Sequence, residues 1–477
     1  MEKISNLAKR RGFVYPSAEI YGGVGAIYDF GPLGATLKKN IRDLWWKRFV
    51  ESRDDIVGIE SSIITKREIL KASGHEGNFT DSMLECKLCH ARFRADRFPL
   101  DPPKGVGEED RLWYEKWVDS YRSAHGGHEE DDLKKAINAQ KDSFDEQRVV
   151  CPNCLKTSDY TEAKPFNLMF KTYVGPTANE EDLAYLRPET AQGMFTNFKS
   201  ILDTNRLKIP FGIAQVGKSF RNEITTGEWL FRLREFEIAE IEYFVKPGTD
   251  EKWFSAWVSE WQKFFLDLGI KKENLKLYEH PKASLAHYSK GTTDIIYNFP
   301  IGWKELAGIA NRTDFDLKAH IEGSGRDLSF FDEESKEKFV PYVIEPTLGI
   351  ERAFFALLAD SYDEEKDGEE IRSVLRFSPA VAPVKVAIFP LQKDEGIVKI
   401  AKEIYENLRG RYSVQYDQSG SIGRRYRRQD EIGTPYCLTV DFDSLTDKKV
   451  TVRDRDSMKQ ERVLISKLED LLSKKLA

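Results

Sequence analysis

The sequence predicts a protein of the α+β class, with an antiparallel sheet flanked by helices and a second, smaller α/β domain behind it. Two extended segments, GIAQVGKSFRNE (212–223) and LFRLREFEIAEIEYFV (230–245), are joined through a loop that contains glycine, which is typical of an antiparallel strand pair. Apolar residues recur at helical spacing in the segments after Pro32 and after Pro188. From residue 383 onward strand and helix patterns alternate, which indicates the separate α/β domain.

The length of 477 residues exceeds what one compact domain usually holds. Changes of pattern divide the chain into units 1–375 and 383–477, and an insertion rich in Lys, Asp and Glu interrupts the first unit at about 86–155. The chain is 40% apolar and 32% charged, as in ordinary soluble globular proteins. No apolar run is long enough to span a membrane, and the first residues have no apolar core of a signal peptide. We therefore expect a cytoplasmic location and no membrane partner.

The segment that starts at Gly31 and Pro32 predicts one long amphipathic helix. Proline is favoured at the first helical position, where its missing N–H costs nothing. Apolar residues follow at helical spacing, namely Leu33, Leu37, Ile41, Leu44, Trp45 and Phe49. Packing of this stripe inside the same chain would explain it as well as contact with a second subunit.

The predicted strand pair carries arginine, aromatic and carboxylate side chains together. Because residues two apart in a strand share a face, Arg221 points with Glu223, and Arg232 points with Phe236. Guanidinium groups pair with phosphate and an aromatic ring stacks on a purine, so this face suits a nucleotide. A solvated face of cross-strand salt bridges would explain any one of these residues. Arg352, near the start of a predicted helix, adds a guanidinium where a helix N-terminus also favours phosphate.

Two Cys-x-x-Cys pairs predict a metal site. Cys86 and Cys89 form the first pair, and Cys151 and Cys154 form the second. Four thiolates on two tight turns complete a tetrahedral structural zinc site. Free thiols are the alternative, and His90 is a less favoured substitute ligand.

A basic run lies near the C-terminus of a chain whose net charge is −6. The run consists of Arg424, Arg425, Arg427 and Arg428, with Tyr426 between them. A solvated helix face would explain it. Contact with RNA is the other interpretation, with arginines on phosphates and the tyrosine ring stacked on an unpaired base.

These motifs together resemble the homodimeric glycyl-tRNA synthetases, a family within class II of the aminoacyl-tRNA synthetases. The helix after Pro32 resembles class II motif 1, residues 220–223 with 232–236 resemble motif 2, and residues 349–352 resemble motif 3. The family pattern also appears in YLRPETAQG (185–193), ELAGIANRTDFDL (305–317), EPTLGIER (345–352) and SIGRRYRRQDEIGTP (421–435). The resemblance covers nearly the whole chain and is much weaker only in the insertion.

The resemblance implies a catalytic domain that binds ATP with Mg²⁺ and uses Arg221 and Arg352 as catalytic residues. Arg221 would contact the α-phosphate and the glycine carboxylate, Glu223 the adenine edge, and Phe236 the adenine ring. The implied ATP site contains Arg221, Asn222, Glu223, Phe231, Arg232, Leu233, Phe236, Glu305, Leu306, Gly349 and Arg352. In that set Arg232 and Arg352 hold the terminal phosphates, and Glu305 lies on the magnesium side.

The resemblance also implies a glycine site in which carboxylates surround the ammonium group. Its members would be Glu189, Phe236, Glu240, Glu345, Thr347, Arg312 and Arg94. Two of the acids have simpler explanations, because Glu189 could start a helix and Glu240 could form a cross-strand ion pair. Many family members carry Ser where Thr347 stands, which keeps the hydroxyl but puts the detailed pocket shape in question.

The resemblance further implies what the chain does and with which partners. Residues 383–477 resemble the anticodon-binding domain of the glycine, histidine, proline and threonine enzymes, which implies glycine tRNA as the partner of the arginine run. The expected reaction forms glycyl-adenylate and pyrophosphate from glycine and ATP and then transfers glycine to the 3′ end of the tRNA. The helix after Pro32 implies a homodimer. Two alternatives are a different class II synthetase of the same subgroup and a non-catalytic nucleic-acid-binding relative.

Overall fold

A computed structural model describes residues 1–94, 151, 153–154, 160–176, 178–224, 228–282, 285, 289–368 and 370–476. The centre of the expected insertion, 95–150, and the loop 225–227 between the two long strands lie outside the described residues. Within the described part of the chain, no helix combines the length and the apolar character needed to cross a membrane.

A seven-stranded sheet forms the centre of the larger unit, with the strand order β4-β5-β6-β7-β3-β2-β1. All neighbours are antiparallel except β1 and β2, which are parallel. The strands are β1 Ile56–Gly58, β2 Phe211–Phe220, β3 Glu235–Val245, β4 Leu275–Glu279, β5 Gly291–Phe299, β6 Gly302–Thr313 and β7 Tyr342–Gly349. The two segments predicted as an antiparallel pair are β2 and β3, with Ser219 opposite Phe236.

Helices cover this sheet and close its core. Those of the larger unit are α1 Glu2–Arg10, α2 Pro32–Trp46, α3 Ala191–Asn205, α4 Asp250–Asp267, α5 Phe315–Ser324 and α6 Ile350–Ser361, with short helices at Arg67–Ala72 and His75–Asn78. Apolar residues of α2, α4 and α6 are buried against the sheet in one cluster, including Trp45, Trp261 and Phe354. The edge-to-face contact of Trp45 and Trp261, 6.2 Å between ring centroids, joins α2 to α4.

Short strands extend the larger unit around the central sheet. Three-stranded sheets are formed by Ile64–Lys66, Leu183–Leu186 and Lys171–Tyr173, and by Arg92–Arg94, Thr80–Glu85 and Lys164–Asn167. Two-stranded pairs are formed by Val14–Pro16 with Tyr28–Phe30, by Phe330–Phe331 with Lys338–Phe339, and by Tyr362–Asp367 with Glu370–Leu375. These additions place the segments that carry Phe79 and Arg94 over one end of the central sheet.

The C-terminal unit is a five-stranded mixed sheet with helices packed on it. Its strands, in sheet order, are Val414–Tyr416, Val386–Pro390, Tyr436–Val440, Lys449–Asp454 and Gln460–Leu464. The first three are parallel and the last two antiparallel, as expected where helices α7 Glu395–Arg409 and α8 Ile422–Ile432 connect strands. A helical turn at Ser444–Asp447 and the helix α9 Leu468–Lys475 complete it.

One local prediction differs from the structure, and one hairpin lies where the sequence predicted no element. The helix expected from Pro188 begins only at Ala191, so Glu189 lies in the segment before the helix and not in a helical turn. The burial of the Glu189 side chain among polar partners, rather than a helix dipole, determines its position. That hairpin consists of Tyr362–Asp367 and Glu370–Leu375, and beside it Arg372 pairs with Glu365 and Arg376 with Asp363.

Candidate active site

The central sheet holds a cleft of about 360 Å³ on one face. Strands β3, β6 and β7 form its floor, and the start of α6 forms one wall. The lining includes Phe79, Arg94, Leu168, Arg221, Glu223, Leu230, Phe231, Arg232, Leu233, Phe236, Glu305, Thr347, Gly349 and Arg352. Most of the residues predicted for a nucleotide site therefore meet in one cavity.

Arg221 lies between two aromatic rings at the centre of this cleft. Its guanidinium carbon is 5.2 Å from the ring centroid of Phe79 and 5.5 Å from that of Phe236. Its Nε donates to the main-chain oxygen of Pro188 at 3.0 Å. The side chain is therefore fixed in a stacked arrangement that leaves a planar cation facing the cleft.

Glu223 is held at the end of the cleft by two arginines. Arg232 Nη1 donates to Glu223 Oε2 at 3.0 Å. Arg234 donates from Nη2 to the main-chain oxygen of Glu223 at 3.0 Å. Glu223 is 7% exposed, so these contacts fix a nearly buried carboxylate.

Arg352 reaches into the cleft from the first turn of α6. Its guanidinium carbon lies 4.5 Å from the ring centroid of Phe231, and its Nη1 is 2.9 Å from Glu305 Oε1. The nearby positive charge of Arg352 lowers the pKa of Glu305. A cation, an aromatic ring and an ionised acid therefore meet in this part of the cleft.

Asp294 and His280 lie beside Glu305 and were not predicted from the sequence. His280 Nε2 is 2.8 Å from Asp294 Oδ2. Burial, and then the charge of Glu305, raise the pKa of Asp294 to about 6. No short pattern marked these residues, because β4 and β5 bring them together from separate strands.

Glu240 lies beneath the cleft, where β3 meets β7. It is 3% exposed and accepts hydrogen bonds from the hydroxyls of Thr190 and Thr347, the latter at 3.0 Å. Burial, and then the charge of Glu189, raise the pKa of Glu240. Thr347 lines the cleft, so its hydroxyl connects the cleft to the buried acid. Glu240 therefore belongs to an acid cluster with Glu189 and Glu345, and it is not half of a cross-strand ion pair.

Glu189 is held by neutral and basic partners. Its Oε2 is 3.2 Å from His75 Nε2, and its Oε1 accepts from Gln192 Nε2 at 3.0 Å. Burial alone would raise the pKa of Glu189, but His75 and then Arg312 outweigh it and hold that pKa well below its ordinary value. Glu189 is therefore ionised at neutral pH.

Arg312 is buried between two acids. Its Nε and Nη2 donate to the two carboxylate oxygens of Asp316 at 2.7 and 2.8 Å, and its Nη1 donates to Glu345 Oε2 at 2.9 Å. Burial raises the pKa of Glu345 to about 8 although Arg312 opposes this, and the charges of Glu240 and Glu189 add to the rise. Arg312 therefore holds the carboxyl groups of Asp316 and Glu345 in place and is not among the lining residues of the cleft.

The remaining predicted residues divide into cleft and supporting positions. Arg94 lines the cleft and its Nη1 lies 2.9 Å from Asp81 Oδ2. Leu306 is fully buried in the core, so its side chain does not reach the cleft. The main-chain N–H of Asn222 donates to Leu168 O at 2.7 Å. This bond joins the segment 220–223 to the segment that carries Leu168.

The comparison with known proteins agrees with this arrangement. Residues 170–361 match the family model described as tRNA synthetase class II core domain (G, H, P, S and T), and residues 385–475 match the model of the anticodon binding domain. A glycine–tRNA ligase of Caldanaerobacter subterraneus subsp. tengcongensis is 50% identical over 100% of this chain and 98% of the relative. One of Thermobifida fusca is 48% identical over the same shares, and one of Acetivibrio thermocellus is 50% identical over 99% and 97%. The chain belongs to the glycine–tRNA ligase family.

Membership of the glycine–tRNA ligase family confirms the predicted resemblance and the predicted fold class, a class II core followed by an anticodon-binding domain. A class II synthetase core implies ATP and Mg²⁺. Neither comparison identifies individual residues, so the roles given to the side chains in the cleft remain proposals.

The four cysteines expected to bind zinc in this family member lie close together. The four Sγ atoms lie within 4.8 Å of one another, and those of Cys89 and Cys151 are 3.6 Å apart. A tetrahedral zinc with Zn–S bonds of about 2.3 Å separates its sulfur ligands by about 3.8 Å, so the donor set fits that metal. No disulfide joins the thiols of the described residues.

The basic run of the anticodon-binding domain is divided between solvent and interior. Arg424 is exposed. Arg425 is 4% exposed and donates from Nη1 to Pro390 O at 2.5 Å and from Nη2 to Gly420 O at 2.9 Å. Arg425 therefore supports the fold and is poorly placed to contact RNA. The helical spacing of α8 explains this, since neighbours on a helix face different directions.

Two other members of the run also have partners inside the domain. Arg428 Nε donates to Asp417 Oδ2 at 3.0 Å. The Tyr426 hydroxyl lies 2.6 Å from the hydroxyl of Thr439, and the tyrosine ring packs edge-on against Phe389 with centroids 5.5 Å apart. The ring of Tyr426 is therefore part of the domain's own packing, and its stacking on an unpaired base stays a prediction.

A buried charge cluster joins the three motifs of the family and was missed by the sequence reasoning. Lys38 of α2 is 2.5 Å from Glu351 Oε1 and 3.1 Å from Glu237 Oε2. Glu351 Oε2 in turn accepts from the main-chain N–H of Glu237 at 2.8 Å. A lysine within an amphipathic helix is usually exposed, so only the fold could reveal this contact.

Proposed function

We propose that this chain activates glycine with ATP and transfers it to the 3′ end of glycine tRNA. The observation that carries the proposal is the continuity of one cleft. A zone of arginine and aromatic side chains around Arg221 lies directly above an acid cluster, and Thr347 connects the two. A nucleotide suits the first zone and an ammonium group suits the second.

The arginine and aromatic zone is the proposed ATP site. Phe236 offers a face for adenine, and Glu223 offers a fixed acceptor for its exocyclic amine. Arg232 and Arg352 both line the cleft, and guanidinium groups hold phosphate oxygens through paired hydrogen bonds. Their present partners, Glu223 and Glu305, keep both arginines oriented before the nucleotide binds.

Formation of glycyl-adenylate needs positioning more than proton transfer. A glycine carboxylate oxygen attacks the α-phosphorus of ATP, the bond to the bridging oxygen breaks, and pyrophosphate leaves with that electron pair. The carboxylate is already a nucleophile at neutral pH, so no general base is required. Arg221, fixed by Pro188 O and two rings, is placed to hold the α-phosphate and the carboxylate in line. Mg²⁺, held on the side of Glu305, would neutralise phosphate charge.

Recognition of glycine is proposed to depend on its ammonium group, since glycine has no side chain. Glu189, Glu240 and Glu345 supply three carboxylates from three different segments around that position. The hydroxyl of Thr347 fixes Glu240 and narrows the floor of the cleft. A rigid wall that clashes with a methyl group excludes larger amino acids more strongly than the lost apolar contact of one methyl, about 1–3 kcal/mol, would achieve.

The second unit and the cysteine cluster have supporting roles in the proposal. Units 1–375 and 383–477 would act as catalytic and anticodon-binding domains. Arg424 is exposed on α8 and available for RNA phosphate, with Arg427 and Arg428 beside it. Cys86, Cys89, Cys151 and Cys154 would hold one structural zinc, which fixes the base of the insertion.

A cytoplasmic homodimer completes the proposal. Helix α2 packs into its own subunit through Leu37, Ile41 and Trp45, which explains its apolar stripe without a partner. Exposed apolar side chains occur on another segment, at Ile20 and Tyr21, which are 88% and 87% exposed. Such side chains suit contact with a second copy.

The test is ATP–pyrophosphate exchange with each of the twenty amino acids. We expect exchange with glycine alone, and its loss in Arg221→Ala. The matched control is Arg409→Ala, an exposed arginine of α7 far from the cleft in sequence, which should retain full exchange. Exchange with another amino acid would overturn the acid-cluster assignment but keep the class II activity. No exchange with any amino acid would favour a non-catalytic relative.

A further inference from the structure

Glu242 is a buried acid that the proposed glycine site does not use. It lies on β3 two residues after Glu240, so the two side chains share a face of the sheet. The residue is 0% exposed. Neither of its carboxyl oxygens has a hydrogen-bond partner among the described residues, which is rare for a buried polar group and calls for a physical explanation.

The groups around Glu242 are mostly acids. Carboxyl oxygens of Glu240, Glu242 and Glu345 lie within 4.8 Å of one another. The charged groups that face Glu242 are Glu240 on its own strand, Glu345 on β7, Arg312 on β6 and Asp316 on α5. Arg312 donates hydrogen bonds to Asp316 and Glu345. An ionised Glu242 would therefore be desolvated beside two like charges and would have no donor.

We propose that Glu242 is a protonated, uncharged carboxyl group that positions Glu240 and Glu345 for the ammonium group of the substrate, an inference that rests on the proposed function. The neutral form removes the repulsion that a fourth carboxylate would add behind the pocket. Its hydroxyl also supplies a hydrogen-bond donor to an acid cluster that otherwise consists of acceptors. The ammonium group then meets three carboxyl groups in fixed positions, without a fourth negative charge behind them.

The electrostatic environment agrees with this geometry. Burial first, and then the charges of Glu345 and Glu240, raise the pKa of Glu242 well above its ordinary value. Glu242 is a positioning residue in this account, because it acts on the substrate only through its two neighbours.

Two substitutions separate a neutral positioning group from a charged ligand. Glu242→Gln keeps the shape of the neutral acid and keeps an N–H donor, whereas Glu242→Leu keeps the volume and removes the donor. In ATP–pyrophosphate exchange, we expect the glycine KM of Glu242→Gln to stay within about threefold of the wild-type value. We expect Glu242→Leu to raise the glycine KM by about tenfold or more and to leave the ATP KM unchanged.

Glu240→Gln is the matched control, because it neutralises a proposed direct ligand on the same strand. It should raise the glycine KM at least as much as Glu242→Leu does. If Glu242→Gln raises the glycine KM as much as Glu240→Gln, then Glu242 is an ionised ligand and the inference is wrong. An unchanged glycine KM in a folded Glu242→Leu protein would equally overturn the positioning role.

A spectroscopic measurement tests the protonation state without activity. The infrared C=O band of a protonated carboxyl group, measured in the free protein at neutral pH, should lose one group's intensity in Glu242→Gln. An unchanged band would overturn the inference even if Glu242→Leu fails to fold. A wild-type protein with no glycine-dependent exchange would instead reject the proposed function, and the infrared result would still stand.

Discussion

The guanidinium group of Arg234 donates two hydrogen bonds to the main-chain oxygen of Glu223, from Nε at 3.2 Å and from Nη2 at 3.0 Å. Its Nη1 donates to Gly25 O at 3.1 Å, and its own carbonyl oxygen accepts from the Arg221 N–H at 2.9 Å. One side chain thus connects the N-terminal loop to the segment that carries Arg221 and Glu223.

Replacing Arg234 by Lys should therefore weaken ATP binding. A lysine ammonium cannot donate to Glu223 O and Gly25 O from one planar group. We expect kcat/KM for ATP to fall by about tenfold to a hundredfold, corresponding to about 1.5–3 kcal/mol for hydrogen bonds from a charged donor. Steady-state exchange at varied ATP measures this, with Arg409→Lys as the exposed control. An unchanged ATP dependence would show that the loop holds its shape without Arg234.

Arg352 should not be replaceable by lysine either. Its guanidinium plane lies 4.5 Å from the Phe231 ring and contacts Glu305, a combination that a compact ammonium does not reproduce. We expect Arg352→Lys to lower kcat for glycyl-adenylate formation by about 10²-fold or more, since such electrostatic contacts act mainly on the transition state. Single-turnover adenylate formation measures the step directly. A reduction in ATP affinity alone, with a normal rate at saturation, would contradict this role.

The buried guanidinium of Arg312 should contribute strongly to stability. In Arg312→Leu the acids Asp316 and Glu345 would lose their common partner, and breaking a buried pair costs about 3–5 kcal/mol. We expect a clearly lower unfolding midpoint in urea. The control is Lys199→Ala, which removes an exposed pair with Asp203 and should cost about 1 kcal/mol or less. Equal midpoints for the two variants would mean that the acids simply take up protons.

How much of the site could be predicted depended on whether its residues lie close in sequence. Strand alternation predicted Arg221, Glu223 and Phe236 on one face, and they do line one cleft, although Arg221 and Glu223 lie beyond the end of β2 at Phe220. The acids Glu189 and Glu240 were predicted only from the family resemblance. No local sequence pattern shows that the segment before α3, which carries Glu189, lies beside Glu240 on β3. The sequence could therefore predict the composition of the site more fully than its geometry.

The residues that were missed share a physical cause. Lys38, Glu242 and Asp294 have ordinary sequence surroundings, and their interest arises only from burial beside groups on other strands or helices. The RNA contact predicted for the buried Arg425 has the same cause, because a run of arginines does not reveal which of its side chains point into the domain. Long-range register, and not local propensity, determines these environments.

Within the basic run, Arg424 and Arg425 should behave differently. Arg424→Glu should weaken tRNA charging by reversing an exposed charge and should leave glycine-dependent exchange intact. Arg425→Ala should instead destabilise the C-terminal domain by about 1–3 kcal/mol, because the carbonyls of Pro390 and Gly420 lose their donor. Aminoacylation at several salt concentrations and thermal unfolding of each variant separate these effects. An equal loss of exchange and charging in Arg424→Glu would count against an RNA contact.

The cluster of four cysteines should bind zinc. Purified protein should contain about one zinc per chain, because the four clustered thiols match a closed structural site. Cys154→Ser should lower that content, and Cys437→Ser should not, since Cys437 lies apart in the core of the C-terminal domain. Since Cys89 precedes the strand Arg92–Arg94 and Arg94 ends it, loss of the metal should disturb Arg94 and raise the glycine KM. Metal-free protein with four freely titrating thiols and an unaltered glycine KM would show that the cluster is not a zinc site.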